Sequence, residues 1–329
     1  MSRVWRLCRQ MAVTALPVLL IVAAGSFLLL EAAPGDAADA YLMSIGGGDP
    51  AFVAAWRQQW GLDGSVASRL WLYLSSLARF DLGWSLSFGR PVGVLIMERL
   101  PVTLWLMGSA TLLSFLVGTA LGIVAGARPG ALADRLLAGG SLALYAMPGF
   151  WLALVLIAIF AVQLRWLPTA GIETVASGLT GFSRILDIIR HLALPVASLS
   201  LIYMALFLRM MRAGMVEAWR QDYALAARAR GLGSRRIALR HIARNALLPL
   251  VTMLGLQAAS ILGGSVVIES VFAIPGFGRL AYEAVASRDA PLLAAIILVS
   301  AVMVVVVNLI VDLTYGALDP RVDDGGVRA

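Results

Sequence analysis

The chain has 329 residues, 60% of them hydrophobic and only 14% charged, with a formal net charge of +7 at pH 7. Such a composition excludes a water-soluble domain of this length and assigns the chain to a bilayer. All 26 basic residues are arginine and no G-x-x-x-x-G-K-[ST] string occurs, which excludes a Walker-type nucleotide site; Cys8, His191 and His241 are too few and too scattered for a metal cluster, so no catalytic or metal-binding residue and no cofactor is expected.

Residues 11–30 form the first uncharged window of about 20 residues, the length that crosses a hydrocarbon core. Arg3, Arg6 and Arg9 precede it as in a secretion signal, but the apolar run is long and no small-residue cleavage site stands before Glu31. It therefore reads as a retained anchor. Residues 31–101 follow as an extracytoplasmic segment. In it Phe52, Trp56 and Trp60 recur at four-residue spacing, fitting either a helix on the membrane surface or a cap over a bundle.

Windows 102–127, 136–164, 246–268 and 290–311 are further spans, and 192–208, between His191 and Arg209, meets the lower limit of about 17 residues. The expectation is an all-α integral membrane protein of six transmembrane helices. Gly118, Gly122 and Gly126 repeat on one helix face and permit close approach of a neighbouring backbone. Pro148, Pro195 and Pro249 lie in or near spans three, four and five, where each permits a kink, static or flexing.

Arginine counts set the topology. Three stand at the start, two in Arg128 and Arg135, nine from Arg209 to Arg244 and two in the tail, against ten on the other side. Residues 31–100 also carry seven acidic residues against five arginines, so both termini are expected in the cytoplasm. The nine-arginine stretch cannot be a span, because a basic residue at mid-membrane costs about 2.5–3.5 kcal/mol. It is expected as a cytoplasmic loop, residues 212–245.

That loop reads as helix, glycine, helix. Asp222 is a candidate N-cap, Tyr223 to Arg230 are rich in alanine and arginine, Gly231 suits a left-handed C-cap, and Ser234 is a candidate cap for the next helix. A basic loop held to anionic headgroups accounts for the charge. An alanine face flanked by Tyr223, Leu225 and Leu232 is suited instead to a groove on another protein.

The string from Glu217 to Pro249 resembles the cytoplasmic coupling motif of bacterial ABC importer permeases, in particular the dipeptide, oligopeptide and nickel permease family. The resemblance rests on Arg220, Gln221, Asp222, Tyr223, Ala227, Arg228, Ala229, Gly231, Leu232, Arg236, Arg240, His241, Arg244, Asn245 and Pro249. Leu225 stands where the general importer motif has Glu, and Arg230 where this family often has Lys. The strings from Glu269 to Leu280, Arg288 to Pro291, Ala317 to Arg321, Ala33 to Asp36, Gly61 to Asp63, Asp81 to Gly83 and Arg99 to Pro101 are similar to the family's in the same order.

The resemblance implies a MetI-like permease bundle in the bacterial inner membrane: a first helix within residues 1–30, the extracytoplasmic segment 31–101, a five-helix core 102–311 and a cytoplasmic tail 312–329. It implies a second homologous permease, two ABC ATPase subunits and an extracytoplasmic solute-binding protein as partners, with membrane lipid and no nucleic acid. The residues it offers to an ATPase cleft are Glu217, Asp222, Tyr223, Ala226, Ala227, Arg228, Ala229, Arg230, Gly231, Leu232, Arg235 and Arg236. Candidates for the translocation path are Gln257, Glu269 and Asn308, with Asp312 at a helix end; interhelical bonding or interfacial anchoring explains them equally well. The solute is expected to be a dipeptide, an oligopeptide, glutathione or a nickel chelate. An ion-coupled carrier or channel is the rival reading, but it needs ionisable groups in the spans, and the six windows contain none.

Overall fold

The structure is a computed structural model that describes residues 2–32, 65–85, 87–259 and 265–318. Phe52, Trp56 and Trp60, the strings at Ala33 and Gly61, and the tail beyond Leu318 lie outside the described residues. In order, the helices are α1 (Ser2–Glu31), α2 (Val66–Ala78), α3 (Val92–Ala127), α4 (Leu132–Ala146), α5 (Gly149–Leu156, widening into a π-helical stretch Ile157–Gln163) and α6 (Gly181–Ala218). They continue as α7 (Asp222–Ala229), α8 (Ser234–Arg236, followed by π-helical Ile237–Ile242), α9 (Ala243–Ala259), α10 (Val266–Val271), α11 (Phe277–Ala286) and α12 (Ala290–Leu318). A short hairpin pairs β1 (Trp84–Ser85) antiparallel with β2 (Arg90–Pro91).

The chain divides into two compact units, Met1–Pro101 with Gly276–Ile310 and Val102–Pro275 with Val311–Ala329. In the first, α2 is fixed along the end of α1 by the ion pair of Arg69 with Glu31 and by the Phe27 and Tyr73 rings, stacked 5.5 Å apart. Buried Asp289 joins the hairpin to the start of α12. One carboxylate oxygen accepts the Ser85 hydroxyl at 2.6 Å and the Ser87 N–H at 3.1 Å, while the other accepts the Leu292 N–H at 3.2 Å. Asp289→Ala leaves buried donors without an acceptor and removes a helix cap. It is expected to destabilise the protein by about 2–3 kcal/mol, read as a lower melting temperature of the purified protein.

In the second unit α3 and α6 pack almost backbone to backbone. A Cβ on Gly118 would meet the Met204 carbonyl at 2.7 Å, on Gly122 the Met211 Cβ at 2.5 Å, and on Gly126 the Met215 Cβ at 2.6 Å. Closeness of this kind lets small polar groups bridge the helices. The Ser114 hydroxyl donates to the Ser200 carbonyl at 3.1 Å, and the Ser200 hydroxyl to the Ala110 carbonyl at 3.2 Å. Ahead of α6, the connecting loop is clasped to the helix where Arg184 grips both oxygens of Glu173 at 2.7 and 3.2 Å. The guanidinium holds the Glu173 carboxyl below the usual carboxylate range, so the carboxylate is charged at neutral pH and the attraction is lost only as acid protonates it.

Among the described residues three helices are by themselves long and apolar enough to span a bilayer: Val92–Ala127, Gly181–Ala218 and Ala290–Val311. The expected 136–164 span is not straight, because Leu132–Ala146 and Gly149–Gln163 meet at 103°. Pro148 lacks an N–H and forces Met147 into extended backbone (φ −80°, ψ 135°), which ends α4 there. Pro195 and Pro249 lie inside α6 and α9. Of the expected 246–268 span, Ala243–Ala259 and Val266–Val271 are helical, and 260–264 lie outside the described residues.

Candidate functional site

The segment below α6 is built around an alanine-rich helix one turn away from a long rod. Helix α6 runs to Ala218, so residues 212–218 of the expected loop are helical. A bend at Trp219 and Arg220 then turns the chain into α7. The N-cap is Gln221, in extended backbone, and Asp222 is the first helical residue, where its charge faces the positive end of the helix. Likewise Gly233, not Ser234, caps α8. Glu217 bonds locally, accepting from the Gln221 amide at 3.3 Å.

At its other end α7 closes with a complete Schellman turn. Gly231 has φ +74°, its N–H donates to the Arg228 carbonyl at 2.9 Å, and the Leu232 N–H donates to the Ala227 carbonyl at 3.3 Å. Among the described residues no atom stands within 4 Å of a Cβ added at Gly231, so glycine is required there by conformation and not by space. Leu232 packs into the same core as Met215, Ala218, Ile237 and Ile242.

The helical period divides the alanines into two sets. Ala224 and Ala227 are buried in that core, whereas Tyr223, Leu225, Ala226, Ala229 and Arg230 are exposed. Ala227, expected among the residues offered to a partner, is instead an anchor of α7 on its own chain. Arg228 lies over the Trp219 ring at 4.8 Å, and the Trp219 indole donates to the Gly126 carbonyl at 2.9 Å. Those contacts tie α7 to the end of α3. Arg235 and Arg236 are exposed on α8.

A second brace, not foreseen from the sequence, holds the lower end of α6. Asp134, 2% exposed at the start of α4, receives the Arg212 guanidinium through both oxygens, with Nη2 at 3.0 Å, and also accepts the Gly130 N–H at 2.8 Å. Asp134→Ala strands a half-buried guanidinium beside the site. We expect about 2–3 kcal/mol of destabilisation, with Asp134→Asn intermediate, measured by thermal unfolding in detergent.

The expected path residues are placed apart. Gln257 on α9 stands beside Tyr203 on α6. Glu269, fully buried on α10, accepts the Thr103 hydroxyl of α3 at 2.5 Å. Asn308 is exposed on α12, and Asp312 has no described side chain. Among the described residues no three His, Cys, Asp or Glu side chains converge on a metal site.

Residues 118–324 match the family described as binding-protein-dependent transport system inner membrane component. The chain is similar to the oligopeptide transport system permease protein AppB of Bacillus subtilis, 37% identical over 94% of this chain and 96% of that protein. It is similar also to the glutathione transport system permease protein GsiC of Escherichia coli, 36% identical over 93% and 95% of the two, and to a putative peptide permease protein of Brucella ovis, 36% identical over 96% and 98%. Among solved structures, an inward-facing methionine ABC transporter, MetNI, superposes with a TM-score of 0.53 at 16% identity, over 68% of this chain and 96% of that one, a likeness of fold alone.

Proposed function

Since the chain belongs to the family of binding-protein-dependent transport system inner membrane components, we propose that it is one half of the translocation path of an ABC importer for peptides or a related small solute. In this reading it has six transmembrane helices with both termini in the cytoplasm: α1, α3, the bent pair α4–α5, α6, the α9–α10 region and α12. A second, homologous permease completes the path. Two ATPase subunits drive it, and an extracytoplasmic solute-binding protein delivers the solute.

The observation that carries the proposal is α7. It is a two-turn helix fastened on one side to its own chain through Ala224 and Ala227, while Tyr223, Leu225, Ala226 and Ala229 stand open on the other. An exposed apolar knob flanked by arginine suits a groove of another protein better than it suits water or headgroups. ATP-driven closure of the motor subunits would push on α7, and the push would pass into α6 and α9, which share its core. The solute must bind the outward- and inward-open states unequally for the cycle to move it in one direction.

The test is a cysteine at Leu225 or Ala229 in a Cys8→Ser background, crosslinked in membranes of cells that express the whole transporter. A product containing the ATPase subunit, lost when ATP and vanadate change its conformation or retained with altered yield, supports the reading. Crosslinks to lipid alone, or labelling of these positions from the outer side, overturn it.

A further inference from the structure

Arg209 stands at the inner end of the uncharged stretch of α6, and its guanidinium lies 4.3 Å from the centre of the Tyr145 ring. Tyr145 is the penultimate residue of α4, next to the 103° elbow at Met147 and Pro148, and its side chain is largely open. Three residues below, Arg212 finds the Asp134 carboxylate. Arg209 finds none. Among the described residues no carbonyl or carboxylate reaches it, and its Nε is sealed from solvent without a partner.

A guanidinium is always charged and presents five donors in a fork that matches a carboxylate. An aromatic face stabilises its charge but accepts none of its hydrogen bonds in full. The residue is only partly buried, so the fork is within reach from outside the chain. Interrupted spanning helices are where transporters place solute contacts, because there the backbone lines a cavity and not lipid.

We propose that Arg209, held over Tyr145 at the elbow, is a receiving site for a carboxylate of the transported solute at the cytoplasmic end of the path. The inference rests on the importer reading and narrows its solute class to compounds bearing a free carboxylate, such as a peptide with an unblocked C-terminus. Tyr145 orients the fork and keeps it from folding toward the Asp134 brace. A lipid phosphate has the same hydrogen-bonding chemistry, and the experiment separates the two sources.

The assembled importer in phosphatidylcholine nanodiscs is treated with an arginine-selective dicarbonyl, and the label on Arg209 is read by mass spectrometry. Trialanine at millimolar concentration should slow that labelling severalfold, and trialanine amide should not. Arg235 and Arg236, exposed on α8, should label equally with and without either peptide. Absence of label on Arg209 without peptide, equal protection by acid and amide, or protection by neither overturns the proposal. Protection by phosphatidylglycerol alone, without peptide, assigns the acceptor to the headgroup and overturns it too. ATP-dependent uptake of trialanine by the same complex tests the importer reading separately, so failure there is distinguishable from failure of the site. In the uptake assay Tyr145→Leu should reduce both uptake and peptide protection of Arg209, and unchanged protection in that variant would overturn the role given to the ring.

Discussion

Gly122→Leu is expected to abolish the extractable, monodisperse permease. Any Cβ at this position would stand 2.5 Å from the Met211 Cβ and 2.8 Å from the Leu208 carbonyl oxygen, and the latter belongs to backbone that cannot swing aside. Gly122→Ala alone should cost about 1–3 kcal/mol through overpacking. A leucine must force α3 and α6 apart, which also breaks the two serine bridges between them. Gly108→Ala on the same helix is the control, since no atom of the described residues lies within 4 Å of the added methyl, and its stability should stay within about 0.5 kcal/mol of the parent. Size-exclusion profiles and thermal unfolding in detergent give the comparison. Equal profiles for Gly122→Leu and Gly108→Ala would show that the close approach is not what holds the helices together.

The second large effect separates two residues two positions apart. Leu225→Asp puts a charge on the open side of α7, where it should change stability by no more than about 0.5 kcal/mol. If α7 docks on a motor subunit as proposed, uptake should nevertheless fall on the order of tenfold, because the apolar contact assigned to Leu225 is replaced by a charge that must be desolvated. Ala227→Asp places the same carboxylate inside the core shared by α6, α7 and α9. It should cost about 3 kcal/mol or more and lower the melting temperature, with loss of uptake as a consequence of misfolding. Paired measurements of melting temperature and uptake distinguish the two. Gly231→Ala falls between them, since φ +74° costs a non-glycine residue about 1–2 kcal/mol without any clash. A stable Ala227→Asp variant that transports normally would contradict the assignment of the two faces.

Much of this arrangement was legible in the sequence because hydrophobicity and glycine spacing act locally. The windows at 102–127 and 192–208 lie inside α3 and α6, and the Gly118, Gly122 and Gly126 stripe does face a neighbouring helix. Helix extent was not legible. Glu98 and Arg99, or Arg184 and Arg190, end a hydropathy window, yet a helix leaving the hydrocarbon has no reason to stop, because water tolerates those charges while the backbone ladder continues. At Pro148 the sequence marked a permitted kink but not a 103° elbow, since composition on both sides is uniformly apolar and the angle depends on how the proline ring drives Met147 into extended backbone. Alanines 224, 226, 227 and 229 are chemically identical, so only the helical period and the position of the core separate anchor from open face. The Asp134 and Arg212 brace joins residues far apart in the chain, and nothing in either local string announces the other.

Helix α6 has 38 residues without interruption, and at about 1.5 Å per residue it is a rod about 57 Å long. Its upper end carries the loop clasped by Arg184 and Glu173, and its lower end shares a core with α7. A tilt of about 10° about one end would carry the other through about 10 Å by simple leverage on that length. In the importer reading, a modest rotation imposed at the α7 end would thereby become a stroke large enough to open or close a passage at the other.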